Sequence, residues 1–123
     1  MKSLLLILLT SLLSGGVTFD KTVHDFGRIT HADGPQKCVF TLTNDSSEPL
    51  TIYAVVATCG CTEVKWTRED IEPGKSGIIT VNYSNDEGAY TFDKRISVYT
   101  SAQSKPEILH IKGTVVSKKN DTK

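Results

Sequence analysis

From Phe19 onward, apolar and polar side chains alternate in short runs, and each run stops at a cluster of turn-forming residues. Phe19 to Phe26 is the first extended region. Cys38, Phe40 and Leu42 mark the inward face of the next strand. Leu50, Ile52, Ala54 and Val56 mark a third, and Thr62–Trp66 adds a short fourth. Ile79, Val81 and Tyr83 alternate with Thr80 and Asn82. Phe92, Ile96 and Val98 alternate with Arg95, Ser97 and Tyr99, and Leu109, Ile111 and Val115 with His110, Lys112 and Thr114. A period of two places successive side chains on opposite faces of a half-buried strand, and these runs are rich in β-branched and aromatic residues.

The separators carry turn chemistry. Asp33-Gly34-Pro35, Asn44-Asp45-Ser46-Ser47-Glu48-Pro49, Glu72-Pro73-Gly74-Lys75 and Asn85-Asp86-Glu87-Gly88 each combine Gly, Pro, Asn or Asp. Thr67–Ile71 has room for one helical turn at most. About seven to nine short strands in roughly a hundred residues predict an all-β fold, an immunoglobulin-like antiparallel β-sandwich. A small closed barrel is the competing all-β form.

The N-terminus breaks this pattern. Met1-Lys2-Ser3 precedes an apolar run from Leu4 to Leu13, then Ser14-Gly15-Gly16. A positive start, a short apolar core and small residues describe a secretory signal peptide. The run is about half the ~20 residues that a membrane-spanning helix needs. The expected organisation is a signal peptide over 1–16, a sandwich domain over 17–116 and a polar tail over 117–123. A periplasmic or extracellular protein with no transmembrane span after signal removal follows. Cleavage leaves 107 of the 123 residues, with 13 basic against 14 acidic side chains. A near-neutral chain with interspersed charges gives no footprint for nucleic acid.

Three cysteines are an odd number for an exported chain, so at least one is free, metal-bound or paired elsewhere. Cys38 shares its phase with Phe40 and Leu42 and reads as a buried, inert thiol. Cys59-Gly60-Cys61 follows an apolar run. Two thiols one residue apart hold a soft ion such as Cu(I), close a short and strained disulfide, exchange electrons, or only shape a loop. A closed zinc site needs two more ligands, and His24, His31 and Cys38 are the soft candidates weighed for them. A structural role with no cofactor therefore leads, with Cys59 and Cys61 as copper or redox site the alternative. The spacing differs from the Cys-x-x-Cys of thioredoxin-like enzymes.

His24 and Asp25 are neighbours, but adjacent strand residues face opposite ways. An edge strand with Gly27 in an unusual backbone conformation explains them better than acid–base chemistry. Trp66, the sole tryptophan, reads first as packing and second as a contact for a sugar ring. No Ser/His/Asp constellation, phosphate loop or paired glutamate is visible, so no catalytic residue is assigned.

Several of these segments together resemble a known family. Val23-His24-Asp25-Phe26-Gly27-Arg28-Ile29 is similar to the opening of the bacterial domain-of-unknown-function family 1573. The likeness continues through Phe40–Asn44, Glu48–Ile52, Cys59-Gly60-Cys61-Thr62, Trp66, Ile71–Gly77, Phe92–Ile96 and Leu109–Gly113. It covers essentially the whole chain after the signal. The resemblance implies a small exported immunoglobulin-like domain, related to Hydin-type domains and the major sperm protein sandwich, with no established activity. Cys38 is outside the family pattern. Asn44-Asp45-Ser46, Asn82-Tyr83-Ser84 and Asn120-Asp121-Thr122 match the glycosylation sequon, which a bacterial origin would leave unused.

The sequence thus predicts a non-enzymatic binding or assembly module whose partner is another protein or a cell-envelope component. The alternatives are a periplasmic soft-metal or thiol redox protein using Cys59 and Cys61, and a glycan-binding accessory using Trp66.

Overall fold

A computed structural model describes residues 16–116. The expected signal peptide, apart from Gly16, and the expected polar tail lie outside the described residues. Eight strands form two four-stranded sheets: β1 (Val17–Phe19), β2 (Val23–Thr30), β3 (Gln36–Asn44), β4 (Ile52–Ala57), β5 (Thr62–Trp66), β6 (Ser76–Tyr83), β7 (Thr91–Thr100) and β8 (Glu107–Val116). The sheet orders are β1-β3-β6-β5 and β2-β8-β7-β4. Two separate sheets in these orders make the immunoglobulin-type sandwich, with its first strand divided between the sheets, rather than a closed barrel. A single turn of 3-10 helix at His31–Asp33 is the one helical element among the described residues.

Two expectations are corrected here. The region from Phe19 to Phe26 is not one strand. β1 pairs with β3, the chain crosses at Asp20–Thr22, and β2 joins the other sheet. Because it crosses without reversing direction, β2 runs parallel to β8, while every other strand pair is antiparallel. Thr67–Ile71 forms no helical turn. Leu50 and Ile71 instead exchange backbone hydrogen bonds of 2.9 and 2.8 Å.

The alternation builds the core as expected in most strands. Phe40, Leu42, Ile79, Val81, Ile96, Val98, Leu109 and Ile111 are fully buried between the sheets. Burying each such side chain contributes about 1.5–3 kcal/mol. β4 is the exception. A bulge between Ile52 and Ala54 shifts the register against β7. One extra residue inverts the phase of everything after it. Val55 is therefore buried, and Val56, expected inside, is exposed. The Glu72–Lys75 turn closes with a Lys75 N–H to Glu72 carbonyl bond of 2.9 Å. Pro73 precedes Gly74 at φ 81°, the arrangement a type II turn requires.

Candidate functional site

The Thr58–Cys61 turn carries the chain from β4 in one sheet to β5 in the other, across one end of the sandwich. Neighbouring strands fasten it. The Thr58 N–H donates to the Arg95 carbonyl at 3.3 Å, and the Ser84 N–H to the Cys61 carbonyl at 2.9 Å. Cys59 and Cys61 form a disulfide, with their Cα atoms 5.1 Å apart. Of the states open from sequence, this is the one present. Cys38 is the free thiol, buried in β3, and burial pushes it up to about 11.

Glu87 stands beside the disulfide. One carboxylate oxygen, Oε1, accepts from the Tyr83 hydroxyl at 2.7 Å and the Tyr90 hydroxyl at 2.5 Å. The Lys94 ammonium lies 3.3 Å from the same oxygen. The other, Oε2, lies 3.7 Å from Cys59 Sγ. A disulfide sulfur has no proton to donate, so in the oxidised protein this is a contact rather than a hydrogen bond. The Cys61 N–H also points at Cys59 Sγ, at 3.1 Å. The hydroxyls of Tyr90 and Tyr83 hold the Glu87 carboxyl below its ordinary range, because they bind the charged form. Tyr83 itself is fully buried and stacked on Phe92 at 4.2 Å. Burial, and then its bond to Glu87, raise its phenol.

Cys59 Sγ, Cys61 Sγ and a Glu87 oxygen lie within 4.8 Å of one another. His24, His31 and Cys38, the soft ligands weighed from sequence, are absent from this group. Glu87 is the residue that sequence reasoning missed. It comes from 28 positions away and sits in a segment whose composition signals only a turn.

Trp66 shares the inward phase of Thr62 and Val64 on edge strand β5, and it is half-buried against the core. The Arg68 guanidinium lies 3.8 Å from its ring centroid. A cation already covers one face, so the ring is not a bare platform. On β2, His24 packs edge-on against Phe26 at 4.6 Å, and the Asp25 carboxylate accepts the Gly27 N–H at 2.8 Å. The register shifts between Asp25 and Arg28, and Gly27 has φ 75°. The two side chains form no acid–base pair. Asn44, the first sequon asparagine, is wholly buried and structural. Asn120 lies outside the described residues.

A second feature follows from the β4 bulge. Tyr53 is 66% exposed, Val56 49% and Tyr99 40%. Tyr99 pairs with Ala54, and Val56 with Ser97, so the three share one outer sheet margin. Val39 and Ile78, exposed on the other sheet, stand among polar neighbours such as Thr41 and Thr80.

A profile of the family described as "Protein of unknown function (DUF1573)" matches residues 17–115. The chain belongs to that family. No curated protein matches it. Among solved structures, it is similar to a protein of unknown function from Porphyromonas gingivalis W83, at 20% identity and TM-score 0.69, over 80% of this chain and 46% of that one. It is also similar to the Vibrio cholerae VesB protease, at 18% identity and TM-score 0.61, over 88% of this chain and 34% of that one. The Caenorhabditis elegans MSP family member WR4 matches at 10% identity and TM-score 0.51, over 82% of this chain and 98% of that one. At these identities the likeness is one of fold. The chain spans less than half the length of the first two.

Proposed function

We propose that this DUF1573 domain is an exported, non-enzymatic binding module that docks a folded protein of the cell envelope against the β4–β7 margin. The observation that carries the reading is the cluster of Tyr53, Val56 and Tyr99 on one outer margin. Exposed aromatic side chains presented by a rigid sheet are the usual anchors of protein recognition. The free sheet edges support a face rather than a strand-addition mode. β1 has three residues, β2 and β4 are bulged, and β5 has five residues with Glu63 and Lys65 pointing out. Short, bulged or charged edges discourage pairing with a further strand. The same sandwich makes up about half or a third of two longer solved chains, in keeping with a module that sits beside other domains.

The test places a photo-cross-linking residue at position 53, and in a second variant at position 37 on the opposite sheet, in the native host. The expected result is one discrete envelope-protein adduct from position 53 on a chain whose N-terminus lies near Val17. Tyr99→Lys should abolish that adduct while leaving the circular dichroism unchanged. Truncating a central aromatic anchor typically costs about 2 kcal/mol or more, roughly a 30-fold loss of affinity. Adducts of equal yield from both positions, or none from position 53, would refute the reading. So would a homodimer as the sole product.

A further inference from the structure

We propose that the reduced form of the Cys59-Gly60-Cys61 loop, together with Glu87, binds one borderline-soft divalent cation of the Zn2+ class. This reaches beyond the docking face and depends on different residues. The three donor atoms already lie within 4.8 Å of one another. Two thiolates and one carboxylate are a donor set that Zn2+ accepts, with water in the fourth position. Cys59 and Cys61 are half-exposed and Glu87 is exposed, so an ion has a path from solvent.

The second observation is the orientation of Glu87. Tyr83 and Tyr90 engage Oε1, and Lys94 spans both oxygens at 3.3 and 3.4 Å, which sets the carboxylate with Oε2 facing Cys59 Sγ. Groups that fix a ligand's orientation are the outer half of a metal site. A surface glutamate that served only an ion pair with Lys94 would not need two tyrosine hydroxyls, one of them fully buried. The charges also balance. Two thiolates, one carboxylate, one divalent cation and the Lys94 ammonium sum to zero. A monovalent copper ion would leave the group anionic, and its preference for two sulfur ligands would leave Glu87 unused.

The disulfide gates the site. A dithiol reductant attacks one sulfur, passes through a mixed disulfide, and leaves oxidised while Cys59 and Cys61 become thiols. Two electrons and two protons enter the loop. Metal binding then displaces the two thiol protons to solvent. In the oxidised protein both sulfurs are committed to each other, and the carboxylate alone does not hold the ion.

The experiment uses the purified chain, reduced with a phosphine that is then removed without air. It is titrated with Zn2+ against a chromophoric chelator, and with Cd2+ as a spectroscopic probe. The expected result is one ion per chain, a thiolate-to-cadmium charge-transfer band and release of about two protons per ion near pH 7. The oxidised chain should bind neither ion. Glu87→Gln should weaken Zn2+ binding at least tenfold and leave Cu(I) binding unchanged. Tyr83→Phe should weaken Zn2+ binding within the roughly 10–100-fold range of outer-shell changes. Cys38→Ala should bind as the wild type does. Circular dichroism of the reduced chain checks that the sandwich persists. No uptake by a folded reduced chain would overturn the proposal, as would loss of the fold on reduction. Binding indifferent to Glu87→Gln, or binding that requires Cys38, would do the same.

Discussion

Asn44 makes the sharpest test of how this sandwich is held closed. It ends β3 and is 0% exposed. Its Nδ2 donates to the Glu48 carbonyl at 2.7 Å and the Ile71 carbonyl at 2.8 Å. Its Oδ1 accepts the Ser46 N–H at 2.9 Å and the Ser46 hydroxyl at 2.7 Å. One side chain thus ties the turn after β3 to the segment before β6. Asn44→Ala removes four hydrogen bonds but orphans neither carbonyl. The Ser46 hydroxyl proton, released from Oδ1, goes to Glu48 O, and Ile71 O keeps the Leu50 N–H. At about 0.5–1.5 kcal/mol each, with the part-buried Ser46 bonds at the low end, the cost is about 3 kcal/mol. For a domain of this size that lowers Tm by roughly 15 °C.

Asn44→Asp, although nearly isosteric, should be worse. It sets an acceptor oxygen against two carbonyl oxygens in a buried site and adds about 2 kcal/mol at neutral pH. The burial favours the neutral carboxyl, so its folded pKa lies above its unfolded one. The fold then binds that proton more tightly than the unfolded chain. The deficit is smallest below the ordinary aspartate range and grows as pH rises through it toward the folded value. Urea unfolding followed by the single tryptophan, Trp66, at pH 4 and pH 7 measures both effects. An aspartate variant as stable as the alanine variant at pH 7, or a deficit that grows on acidification, would refute the reasoning.

Two further predictions test other parts of the molecule. Cys38 holds its proton up to about 11, against 9.0 for an ordinary thiol. The fold therefore loses stability between those values, as the unfolded chain ionises first. Wild type should lose about 2 kcal/mol relative to Cys38→Ala between pH 8 and pH 10.5 in urea titrations. An unchanged difference would show that the thiol is not held neutral. Asn85, at φ 58°, donates from Nδ2 to the Thr30 and Gly34 carbonyls at 2.9 Å each. Asn85→Gly keeps that backbone but drops both bonds, for about 2 kcal/mol, and Asn85→Ala adds roughly 1 kcal/mol of left-handed strain. Thermal melts that rank the alanine variant at or above the glycine variant would contradict this.

Much of the fold was legible because strand burial has a period of two, and β3 and β5 to β8 lie on runs that show it. The Glu72–Lys75 turn was equally local, since Pro73 and Gly74 impose their own backbone angles. The division of the first extended region was not legible. Which sheet β2 joins depends on pairing with β8, some ninety residues away.

The candidate sites divide along the same line. The sequence by itself determined that Cys59 and Cys61 share a tight turn, that Cys38 points inward, and that His24 and Asp25 face apart. Each of these follows from spacing along one strand or loop. Only the tertiary structure decided that the two neighbouring thiols pair, and that Glu87 is held against them by Tyr83 and Tyr90. Only it decided that a bulge at Tyr53 turns Val56 out beside Tyr99. Those outcomes depend on register and on side chains far apart in the chain, and local alternation carries no record of either.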